Sequence, residues 1–236
     1  MAILIPIWFF EFSFAMHFIA TLIGIMLSYF SFRLFRYTQR RTHLLLTLAF
    51  IFITIGFAVI AVSNIDSLFH FENCEAGCTI YSLNPVFNWI IYGNYAYYIT
   101  SLASYFLFAL SYFEICKTKT GKKKKIASTF LQVISTTFLF NPQPQSVLFP
   151  FEPAFFQPFH AISAIILFAI VLQTYSIYRK NKLRLSLLVV LAFVAILFYH
   201  ILMFAIPFSP MFFALAHISL LLGFGSLLFM LIKVNK

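Results

Sequence analysis

Apolar runs of twenty or so residues, broken by short clusters of charge, dominate this sequence. They fall at 9–34, 42–63, 88–115, 126–141, 158–178, 185–206 and 211–232. A helix needs about 20 mostly apolar residues to cross a bilayer. The pattern therefore predicts an all-α polytopic membrane protein with seven transmembrane helices, of which the run at 126–141 is the shortest.

Composition agrees with that class. The 236 residues are 62% hydrophobic and only 9% charged, with a mean hydropathy of +0.96, more apolar surface than a soluble core absorbs. Charge then decides whether the short run counts. Lysine and arginine in short loops stay on the cytoplasmic side. With seven spans, the clusters at 33–41, 117–125 and 178–184 and the tail "KVNK" all fall on one side, and with them all 16 basic residues. Five of the six acids (Glu11, Asp66, Glu72, Glu75, Glu152) fall on the other. Omitting span four would place Arg179, Lys180, Lys182, Arg184, Lys233 and Lys236 outside. The expectation is a multi-pass cell-membrane protein with its N-terminus outside and its C-terminus cytoplasmic. The net charge of +10 is thus a topology signal, and the basic residues are too dispersed to support nucleic-acid binding. The amino end lacks a basic n-region and a small-residue cleavage site, so span one is expected to remain as a helix.

Displacing the chain on itself by 143 residues brings 12–51 onto 155–194 without a gap, with eleven of 40 pairs identical. This composition supplies roughly four by chance. The informative matches are His17 on His160, Arg36 on Arg179, Arg41 on Arg184, and Leu44-Leu45 through Leu48-Ala49-Phe50 on Leu187-Leu188 through Leu191-Ala192-Phe193. A 3+1+3 parallel internal repeat follows: residues 1–115 as the first three-helix unit, with an outer loop at 64–87; 116–157 as a basic cytoplasmic loop, linker helix and Pro/Phe-rich outer loop; and 158–236 as the second unit. In span count, orientation and repeat, this layout resembles the SWEET-type sugar exporters and, more distantly, the seven-helix rhodopsins. It departs from both in detail, with no Pro-Gln pair in span one or five and no interior lysine in span seven. The stretch "NWIIYGNYAYY" (88–98) reads as an aromatic belt at the outer end of span three.

Against this background the histidines stand out. His17, His160, His200 and His217 all lie within the outer third of their spans, reckoned at 1.5 Å per residue. Neutral imidazole binds haem iron, copper and zinc. The four are therefore candidate cofactor ligands, with His17 and His160, related by the repeat, as the leading pair. His200 and His217 would assist as further ligands or as groups that orient them. On span one, His17, Gly24, Ser28 and Ser31 share one helical stripe, which suits an inward face. The competing reading is plain helix packing, since polar side chains in membrane helices commonly hydrogen-bond to a neighbouring helix. No C-x-x-C-H haem attachment sequence occurs.

In the outer loop, His70, Cys74 and Cys78 have the spacing of a soft-metal site. An oxidising compartment favours a Cys74–Cys78 disulfide over that metal site. Spans lack a central Asp, Glu or Lys, which disfavours a proton-coupled pump, and no phosphate loop, nucleophile elbow or HExxH appears. The function expected from the sequence is a membrane subunit binding haem b or copper near the outer face. It would serve electron transfer or metal handling alongside other membrane-protein subunits. The alternatives are a seven-helix receptor or facilitator for a small molecule held between the repeats, and a purely structural subunit of a membrane complex.

Overall fold

The computed structural model describes residues 7–72, 84–117, 156–206, 209 and 211–235, with side chains described for 11–66, 92–114, 156–206, 209 and 211–235. These residues form six α-helices: α1 (Ile7–Thr38), α2 (Arg41–Glu72), α3 (Asn84–Lys117), α4 (Phe156–Asn181), α5 (Arg184–Ala205) and α6 (Met211–Val234). Five of them, all but α3, contain a stretch long and apolar enough to cross a membrane. The expected span at 126–141, and with it Cys74 and Cys78, lies outside the described residues.

The helices are apolar on almost every side, as expected of segments that face lipid and protein at once. On α1, Phe18, Leu22, Ile25, Met26, Tyr29 and Phe32 form an exposed apolar face. The opposite stripe of Ser13, His17, Ala20, Leu27 and Ser31 is buried. An apolar outer surface with its polar groups inside is the arrangement a bilayer selects. The chain is a membrane-spanning helical protein.

Each helix packs on its neighbours in sequence, and α6 packs back on α1, so the six close into a ring. Two seams join the halves, α3 against α4 and α6 against α1. Ring contacts show that the helices at each seam run parallel. Tyr98 stacks on Phe159 at 4.3 Å across the first. Across the second, Phe12 meets Phe213, and further along Asn235 Nδ2 donates to the Phe30 carbonyl. Large buried side chains fill the interior, among them Tyr97, Tyr105, Tyr199, Phe57, Phe108, Phe193 and Phe224.

The turns from α1 to α2 and from α4 to α5 are alike. Gln39 (φ 52°) and Lys182 (φ 51°) both adopt the left-handed conformation, and each donates its N–H to the carbonyl four residues back at 2.7 Å. A residue in this conformation just past a helix end satisfies a carbonyl that the helix leaves free.

Two details differ from the sequence reading. Helix α2 runs to Glu72, through residues assigned above to the outer loop. Nothing in "NIDSLFHFE" interrupts a helix, because the segment has neither proline nor glycine. The aromatic belt is also divided. Tyr92 is exposed, but Tyr97 and Tyr98 are buried, so the inner part of that stretch belongs to the core.

Candidate functional site

The four membrane histidines are all buried, with at most 2% of any one exposed. Each sits near the same end of the ring, in the first few turns of α1, α4 and α6 and the last two turns of α5. The stripe expected on α1 does face inward, with His17, Gly24 and Ser31 buried and Ser28 half-buried.

They form two pairs. His17 on α1 packs edge-to-face on His217 of α6, with ring centroids 5.0 Å apart and planes at 79°. His160 on α4 lies 5.0 Å from His200 on α5, close enough for a direct hydrogen bond between their Nδ1 atoms at 2.8 Å. His17 and His160, the pair expected to share a ligand, belong to different pairs. The ring neighbours of His17 are Phe57, Tyr97 and His217. Those of His160 include Phe159, Tyr199 and His200.

Hydrogen bonding gives the two pairs different chemistry. His17 Nδ1 is 2.7 Å from the Ser13 carbonyl oxygen, and His217 Nδ1 is 2.9 Å from the Phe213 carbonyl. A carbonyl can only accept, so in each ring Nδ1 carries the proton, and in a neutral imidazole Nε2 then bears the lone pair. His17 Nε2 is buried and has no hydrogen-bond partner. A second contact steadies His17: Ser13 Oγ lies 3.3 Å from Nδ1 and accepts a bond from Asn64 Nδ2 at 2.9 Å. An Nδ1–H anchored on a backbone carbonyl with Nε2 left free is the arrangement seen in metal-binding histidines.

In the second pair the nitrogens serve each other. His200 bridges His160 through Nδ1 and the Tyr105 hydroxyl of α3 through Nε2, the latter at 3.0 Å. Between the pairs stand two tyrosines whose hydroxyls are 3.3 Å apart, Tyr97 from α3 and Tyr199 from α5. Tyr97 touches the His17 ring, and Tyr199 touches both His160 and His217. The result is one continuous buried cluster spanning both halves of the ring.

Among the described residues, no three His, Cys, Asp or Glu side chains gather around one point. His70 lies on the α2 backbone, beyond the described side chains. A groove of about 590 Å³ opens between α2 and α3, lined by Ala58, Val59, Val62, Tyr92, Gly93 and Ala96 among others. None of the histidines lines it.

The sequence reading missed the tyrosines. Tyr97 was absorbed into an aromatic belt, and Tyr199 and Tyr105 looked like ordinary apolar-run residues. One signal was present: Tyr199 directly precedes His200 in an otherwise aliphatic run. No family model, no curated protein and no solved structure matches the chain, so the geometry of this cluster is what its function has to be read from.

Proposed function

We propose that the chain is a membrane subunit holding a single transition-metal ion, copper in the first instance, between His17 and His217. The observation that carries this reading is the unbonded, fully buried Nε2 of His17, beside a second histidine held in the same tautomer. Leaving a buried acceptor unpaired costs about 1–3 kcal/mol, and a metal ion supplies the missing partner.

Distance favours an ion over haem. A metal–nitrogen bond of about 2.0 Å puts each imidazole centroid about 3.1 Å from the metal. Two trans ligands then lie about 6.2 Å apart, and two at a tetrahedral angle about 5.1 Å. The 5.0 Å separation matches the bent arrangement, which leaves positions open for a tyrosine oxygen, water or a ligand from outside. A bis-histidine haem also needs a slot for its macrocycle, whereas Phe57, Tyr97, Phe213 and Tyr199 pack closely around this pair. His160 and His200 are the supporting pair in this reading.

The wider expectations attach to the same proposal. They are seven spans, an N-terminus outside and a C-terminus inside, a 3+1+3 repeat, and a role in metal handling or electron transfer within a larger membrane complex. The repeat is supported by the matching turns at Gln39 and Lys182, 143 residues apart. It is also supported by the two like seams of a closed six-helix ring. Under the same offset His17 and Phe57 correspond to His160 and His200, and each of these pairs is in ring contact.

X-ray absorption at the copper edge of the purified protein tests the ligand set. The reading predicts two imidazole nitrogens at about 2.0 Å. A shell of sulfur ligands, or one without imidazole scattering, would contradict it.

A further inference from the structure

Hydroxyl groups on membrane helices usually bond to their own backbone one turn back. Most in this protein do. Thr21, Ser28, Thr47, Thr54, Ser63, Thr100, Thr174 and Ser176 each donate to the carbonyl four residues earlier. Three serines do not. Ser101 and Ser104 on α3 and Ser163 on α4 are completely buried, yet the hydroxyl oxygen of each lacks any hydrogen-bond partner.

Their positions coincide. Tyr98 and Phe159 stack across the parallel α3–α4 seam, and one turn further along come Ser101 on one helix and Ser163 on the other. Ser104 follows within the next turn, beside Tyr105. That tyrosine donates to or accepts from His200, which in turn bonds His160, one turn before Ser163. The three unbonded hydroxyls therefore cluster against one end of an existing hydrogen-bonded chain. All of them lie inside the ring, beneath the aromatic pair Tyr98 and Phe159.

We infer that this part of the α3–α4 seam is a binding site for ordered water, held by Ser101, Ser104 and Ser163. Buried water typically makes about three hydrogen bonds to polar groups that otherwise lack partners, and three such groups meet here. The water fastens the two halves of the ring together at a seam where few direct side-chain hydrogen bonds are available. This site is separate from the His17–His217 pair and stands whether or not that pair binds metal.

The sign of a stability change tests it. If the hydroxyls are bonded to water, replacing one by Ala leaves the water short of a partner and lowers stability. If they are truly unbonded, the same change removes a buried polar group and leaves stability unchanged or raised. Ser101→Ala, Ser104→Ala and Ser163→Ala are each expected to lower the Tm of the protein in lipid nanodiscs by about 2–4 °C, while the control Ser28→Ala changes little. Because Ser101 and Ser163 share the water, the double variant is expected to lose less than the sum of the two single losses. Unchanged or raised Tm values would overturn the inference, and so would strictly additive losses.

Discussion

The Tyr105 hydroxyl lies 3.0 Å from His200 Nε2, a contact that reaches from α3 to α5 through the ring interior. His200 uses its other nitrogen on His160, so one imidazole ties three helices and both halves of the chain together. Removing it strands two buried polar groups, whereas removing the polar groups along with it does not. His200→Phe is therefore expected to destabilise the protein by about 2–3 kcal/mol, and the combined His160→Phe, His200→Phe and Tyr105→Phe variant by less than that single change. Unfolding in mixed micelles measures both. A triple variant weaker than the single one would show that the chain is held by packing alone.

Close approach of α5 and α6 depends on one glycine. A Cβ at Gly223 would sit 2.9 Å from the Ala192 carbonyl oxygen and 2.6 Å from Ile196 Cγ1. Backbone cannot give way as a side chain does. Gly223→Ala is expected to cost about 1–3 kcal/mol through overpacking. At Gly225, only two residues on, an added Cβ meets nothing within 4 Å. Gly225→Ala is expected to be neutral or slightly stabilising, because alanine favours the helix. Equal melting temperatures for the two variants would contradict the packing described at α5 and α6.

Architecture was readable from the chain because bilayer thickness imposes a length on apolar runs and basic loops mark a side. The ends of α1, α4, α5 and α6 accordingly fall close to the predicted spans. The burial of His17, His160, His200 and His217 was readable too, from their common depth. Their pairing was not. Depth along a helix follows from counting residues, but which helix lies across the ring depends on how the seams close, and no local pattern encodes that. The 143-residue offset made His17 and His160 equivalent, and equivalence was taken for proximity. In a six-membered ring, equivalent helices face each other across the interior, so each histidine meets a neighbour from an adjacent helix instead. The tyrosines were hidden for a related reason: an amphipathic ring serves equally at an interface or in a core.

Sidedness offers an independent check. The proposed topology puts the turns at Gln39 and Lys182 on the cytoplasmic side. Single cysteines placed at these two positions in a cysteine-free background should resist a membrane-impermeant thiol reagent in intact cells and react after permeabilisation. Both should behave alike, because two crossings of the seam-related units separate them in the same sense. Labelling of one turn but not the other would contradict the parallel repeat, and labelling of both from outside would invert the topology.

The proposed metal site distinguishes the two histidine pairs, and metal content measures that distinction directly. The protein should be purified without chelator, supplied with one equivalent of copper, desalted and analysed alongside four single variants. His17→Ala and His217→Ala are expected to lose bound copper, while His160→Phe and His200→Phe retain at least half of it. Loss in all four would mean that the pairs act as one site. Retention in His17→Ala and His217→Ala, or no copper in the unsubstituted protein, would contradict the assignment of the buried His17 Nε2 as a metal ligand.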